Sequence, residues 1–154
     1  MPAQTNGVTL IDPGFFPMVG IGVGAILLYA VLGVLLMLLG FYAVDLSTPG
    51  RLNVLVREGR VNAAVITAAG MVSMAFIVVT AISTSAGSLT EGVLKTAIFG
   101  FVGILAQVGA VRLLEWVMGI DVGAALAADR LQPQSFVIAA AHVALGLVVA
   151  FAIV

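Results

Sequence analysis

The chain has no cysteine and little charge, and its charged residues are gathered into a few short stretches. Without cysteine there can be no disulfide, thiolate metal site or cysteine nucleophile. Only 8% of residues are charged, against about 25% in an ordinary soluble domain. No Asp, Glu, Lys or Arg occurs between Asp12 and Asp45, between Arg60 and Glu91, between Lys95 and Arg112, or after Arg130. The net charge of -1 offers nucleic acid nothing to bind. There is a single histidine, and no nucleotide loop, catalytic triad or paired carboxylate. The chain is therefore expected not to be an enzyme and to need no cofactor or resident metal. The segment before Asp12 contains neither Lys nor Arg, so it lacks the basic start of a cleavable signal, and the first apolar run is expected to be retained.

What remains is apolar. The chain is 62% hydrophobic, with a mean hydropathy of +1.27. A hydrocarbon layer about 30 Å thick needs about 20 helical residues to cross it, and the chain holds four such runs. The expected fold class is all-α: a polytopic membrane protein with four transmembrane helices in one membrane domain, residues 1–154. Residues 1–16 are read as an extracytoplasmic segment in which Asp12, Pro13 and Pro17 make a turn. Span one runs from about Pro17 to Val44, span two from Val61 to Ser83, span three from Lys95 to Met118, and span four from after Pro133 to the end.

Two short amphipathic stretches separate these spans. Thr48-Pro49 reads as a helix start, and Leu52, Leu55 and Val56 fall on the side away from Arg51 and Arg57 before Gly59 ends the run. A second short helix is expected from about Asp121 to Arg130. Both have the pattern of helices lying at the membrane interface. The order span, short helix, span thus occurs twice, dividing the chain into two parallel two-helix repeats, 17–90 and 91–154. A shift of 71 residues brings Glu58 onto Asp129 and nearly aligns VITAAGMV with VIAAAHV. Arg51, Arg57 and Arg60 flank the first short helix, and Arg112 and Arg130 flank the second. The excess of basic residues there places both connections in the cytoplasm and both termini outside.

The residues DLSTPG, LVREGRVNAA and AISTSAGSL, followed by a span that contains Gln107 and ends in AVRLL, resemble in their order the YjfL-type bacterial inner-membrane proteins, grouped as domain of unknown function 350. The resemblance covers roughly Ala30 to Val149. It implies a four-span protein of the bacterial cytoplasmic membrane and brings no activity with it. The family's Asn-x-Ala-Ala after the first short helix is matched imperfectly by Asn62-Ala63-Ala64. In the second half it is replaced by Leu131-Gln132-Pro133-Gln134.

Four side chains are candidates for an intramembrane polar site: Arg112, Glu115, Gln107 and His142. Arg112 and Glu115 share a helix face and can neutralise each other, as a structural ion pair or as part of a functional site. Removing one should therefore cost more than removing both. His142 is read as a buried, hydrogen-bonded histidine, with proton transfer as the alternative, and Gln107 as a hydrogen bond across a helix interface. Small residues at Gly20, Gly24, Ala64, Ala68, Ala139 and Gly146 allow helices from different chains to approach closely. The methionines are spread through the spans as gap fillers. The reading that follows is a non-catalytic small integral membrane protein, an accessory or structural subunit of a membrane complex. Its partners would be the lipid bilayer and other membrane subunits or further copies of itself. The alternative is a homo-oligomeric small transporter or channel.

Overall fold

The computed structural model describes residues 12–47, 51–84 and 88–154. Within them the chain forms six helices and no strand: α1 Phe15–Ser47, α2 Leu52–Arg57, α3 Val61–Ser83, α4 Leu89–Met118, α5 Val122–Ala127 and α6 Pro133–Ile153. Four of these, α1, α3, α4 and α6, are long and apolar enough to cross a membrane. The expected helix start at Thr48-Pro49 and most of the 1–16 segment lie outside the described residues.

Helix ends follow local chemistry more closely than hydropathy. The Asp12 carboxylate accepts from the Gly14 amide at 2.7 Å, closing the turn that opens α1. α3 has the bounds read from the sequence. α4 begins six residues before Lys95, because Ser88 caps it by accepting from the Glu91 amide at 3.3 Å. Asp121 caps α5 in the same way, accepting from the Ala124 amide at 2.8 Å. Gly59 and Gly119 follow α2 and α4 with φ of 77° and 62°, the left-handed conformation that glycine adopts without a Cβ penalty. α5 stops at Ala127, short of the expected Arg130. The carbonyls of Ala128 and Arg130 are hydrogen-bonded by the side chain of Asn62, so they do not extend the helix.

α3 is the hub. It packs along α6 over the greatest length and also touches α1, α2, α4 and α5, whereas α1 and α6 meet marginally at most. One core cluster joins Leu52 of α2, Ala63 and Ile66 of α3, Val111 of α4, Val122, Ala125 and Leu126 of α5, and Ile138 of α6. A second, deeper in the bundle, joins Leu36, Met74, Ile77, Val78 and Ile104. The apolar sides of the short helices are therefore turned to protein: Leu52 and Leu126 are buried, Leu55 is half-buried, and Val56 is exposed. In lipid, moving a leucine from tails to protein gains little solvation energy, so tight packing and internal hydrogen bonds must hold such a bundle together.

The heights of the helices follow from their contacts. Gly33 faces Val78, Gly40 faces Met74, and Gly100 faces Leu36. α1 therefore runs antiparallel to α3 and parallel to α4, and Leu28 reaches the start of α4 beside Leu89, Val93 and Leu94. From Phe15 to Leu28 no residue of α1 is buried.

Candidate functional site: a buried polar seam between three helices

Three neutral polar side chains meet inside the bundle. Ser73 of α3, Gln107 of α4 and His142 of α6 are at most 3% exposed. The Ser73 hydroxyl donates to the His142 carbonyl at 2.6 Å and accepts from the Gln107 amide nitrogen. The Gln107 amide oxygen lies 3.1 Å from His142 Nδ1. An amide oxygen only accepts, so in this arrangement the ring proton sits on Nδ1. Each side chain thus satisfies another, as burial away from water requires.

Gly146 makes the contact between α3 and α6 possible. A Cβ there would collide with the Ser73 hydroxyl and stand 2.8 Å from the Ser73 Cα. Only glycine lets the two backbones come this close, and that closeness brings Ser73 within reach of the His142 carbonyl.

Beside the seam is a small cavity lined by Thr67, Gln107 and His142 on one side and by Met37, Met71 and Met74 on another. Its free space suits about one water molecule. The buried Thr67 hydroxyl has no hydrogen-bond partner among the described residues.

A second polar joint ties the start of α3 to the start of α6. Asn62 is fully buried. Its amide nitrogen donates to the carbonyls of Ala128 at 3.0 Å and Arg130 at 2.8 Å. Its oxygen accepts from the Gln132 amide at 2.8 Å and the Ser135 hydroxyl at 2.9 Å. All four hydrogen-bonding positions of the amide are used. Next to it, Arg60 pairs with Asp129.

The sequence-derived candidates divide between places. Gln107 and His142 are brought together. Arg112 and Glu115 do form an ion pair, at 3.1 Å, but Arg112 is 55% exposed and no hydrogen bond links the pair to the seam. Of the small residues, Gly146 is buried and Ala139 half-buried within the chain, whereas Gly20, Gly24, Ala64 and Ala68 face outward. No atom lies within 4 Å of where a Cβ would stand on Gly20 or Gly24. Sequence reasoning missed Ser73 as a partner and missed the four-fold use of Asn62. The available signal was an asparagine in the first turn of one apolar helix opposite Gln132-Pro133-x-Ser135 at the start of another. Among the described residues, no cluster of three His, Asp or Glu could hold a metal ion.

Comparisons with known proteins bear on the family and the membrane location. Residues 18–153 match the family model described as Domain of Unknown Function (DUF350). A UPF0719 transmembrane protein of Mycolicibacterium paratuberculosis is 33% identical over 133 residues, covering 86% of this chain and 88% of that protein. UPF0719 transmembrane proteins of Mycobacterium bovis and Mycobacterium tuberculosis are each 35% identical over 95 residues, 61% of this chain and 62% of theirs. No solved structure matches. With four apolar helices and transmembrane relatives, the chain is a small multi-pass membrane protein in contact with the lipid bilayer, and it belongs to the DUF350 family.

Proposed function

We propose that this protein is a non-catalytic subunit of a cytoplasmic-membrane assembly, acting through helix packing. The observation that carries this reading is the first half of α1. From Phe15 to Leu28 it is apolar on every side and makes no buried contact within the chain. A helix that is apolar all round is normally covered by protein or lipid. Ser73, Gln107 and His142, by contrast, are occupied with one another, which favours a scaffolding role for them over turnover of a substrate. The basic residues around α2 and α5 favour a cytoplasmic location for that end, with both termini outside. The repeated order of long, short and long helix fits two parallel halves.

The test is purification of the tagged protein from native membranes in mild detergent, with every co-purifying chain identified. Stoichiometric recovery of membrane proteins, or of further copies, is expected. A monomer without partners would overturn the subunit reading. A solute or proton flux lost in His142→Gln while assembly persists would replace it with transport. Orientation is tested separately: Asn53→Cys should resist an impermeant thiol reagent in intact cells, and labelling from outside would reverse the topology.

A further inference from the structure

We infer that a single water molecule is bound in the cavity beside the seam, held between Thr67, Gln107 and His142, and that Thr67 is thereby the fourth member of the seam. The inference does not depend on the subunit reading.

Size is the first argument. About 20 Å³ of the cavity is open to a water-sized molecule, and one water needs about 10–15 Å³. A lipid headgroup or a hydrated ion is too large for that space. No charged side chain lines the cavity, so a bare ion would be left without a counter-charge. Size alone does not decide, because purely apolar cavities far larger than this one stay dry.

The polar groups decide it. The Thr67 hydroxyl oxygen is buried without a hydrogen-bond partner among the described residues. A serine or threonine in a helix can donate to a carbonyl of the preceding turn. At the end of the same helix Ser83 and Thr84 do so, reaching the Thr80 carbonyl at 2.9 and 3.0 Å. Thr67, in the interior of α3, makes no such bond. Asn53 and Thr96 also carry a buried unpartnered oxygen, but neither lines this cavity. Only at Thr67 do the missing partner and the space for one coincide.

On the other side the seam has acceptors to spare. With the ring proton of His142 on Nδ1, its Nε2 keeps a lone pair, and Gln107 Oε1 uses one of its two lone pairs on that proton. A water that accepts from Thr67 and donates to these two atoms makes three hydrogen bonds, the usual number for a buried water. The polar contact among α3, α4 and α6 then runs from Ser73 to Thr67, about 9 Å along α3.

The test is X-ray radiolysis of the intact protein in detergent, which makes hydroxyl radicals wherever water is bound. Met74 lines the cavity and is 3% exposed, so water inside the bundle is what oxidises it. Met118, 50% exposed at the end of α4, reports on bulk water. Peptide mass spectrometry should find sulfoxide at both. In Thr67→Val the oxidation of Met74 should fall several-fold with Met118 unchanged, and the unfolding midpoint should drop. Thr67→Ser, which keeps the hydroxyl, should retain both properties. An unoxidised Met74 beside an oxidised Met118 in the unaltered protein would overturn the inference, and that measurement needs no variant to fold. A raised midpoint in Thr67→Val would overturn it as well, because in a dry cavity the valine merely removes an unsatisfied hydroxyl. Met74 oxidation that persists in Thr67→Val would overturn the place of Thr67 in the seam.

Discussion

The two ends of α1 belong to different environments. Its second half follows a helical face of Gly33, Leu36 and Gly40 into the bundle, where each residue is buried against α3 or α4. Its first half is just as apolar and buries nothing. Hydropathy does not distinguish the two halves; the difference lies in which positions are small and what stands opposite. In a membrane, apolar character only admits a helix, and the arrangement of helices is set by close approach and by the pairing of neutral polar groups.

Substitutions that add bulk or remove a polar partner should therefore divide along this boundary. The largest effect is expected at Gly146→Leu, which drives a side chain into the backbone of Ser73. About 1–3 kcal/mol of overpacking or more should appear as loss of the folded protein's peak on size exclusion with membrane insertion intact. Sequence reading assigned Gly146 to contacts between chains; its place against Ser73 makes the chain's own fold the first casualty. Unchanged thermal stability of this variant would refute the close α3–α6 contact.

Asn62→Ala should rank second. It leaves two carbonyls, one amide and one hydroxyl to find other partners, at about 1–3 kcal/mol for each group that stays buried. A clear drop in the unfolding midpoint in detergent is expected, larger than that for Arg60→Ala, whose pairing is partly exposed. Equal losses would show that the charge pair, not the amide, holds the joint.

His142→Gln should be milder, about 1 kcal/mol, because a glutamine amide can still donate toward the Gln107 oxygen. His142→Leu, which cannot donate, should be worse. If the two are indistinguishable by thermal unfolding, the His142–Gln107 hydrogen bond contributes nothing.

The smallest effect is expected for the coupling of Arg112 and Glu115. With Arg112 more than half exposed, a double-mutant cycle should give at most about 1 kcal/mol. Simple additivity of Arg112→Ala and Glu115→Ala would mean the pair is not energetically coupled.

Much of this fold was legible in the sequence, for a physical reason. Long uncharged runs bounded by charge or by Gly and Pro define apolar helices, and α3 and α6 lie where those runs lie. The start of α4 was missed because a serine cap, not the nearest charge, decides where a helix begins. Gln107 and His142 stood out as the polar residues of their runs, but their meeting with Ser73 depends on how three helices are rotated about their axes. A weakly amphipathic membrane helix carries little record of that rotation. The contact between Arg112 and Glu115 was legible from spacing alone, since residues three apart on a helix are neighbours whatever the tertiary fold.

The Asn62 joint also has a consequence in time. Its partners lie between 66 and 73 residues further along the chain. At about 5–20 residues per second, synthesis reaches them several seconds after Asn62 itself has been made. Throughout that interval the first two long helices carry an asparagine whose amide has none of its final partners. The nascent first half is thus an incomplete object, marked as such by one polar group. A chain truncated before Ala128 should be cleared from the membrane faster than the full chain, and in the truncated form Asn62→Leu should slow that clearance.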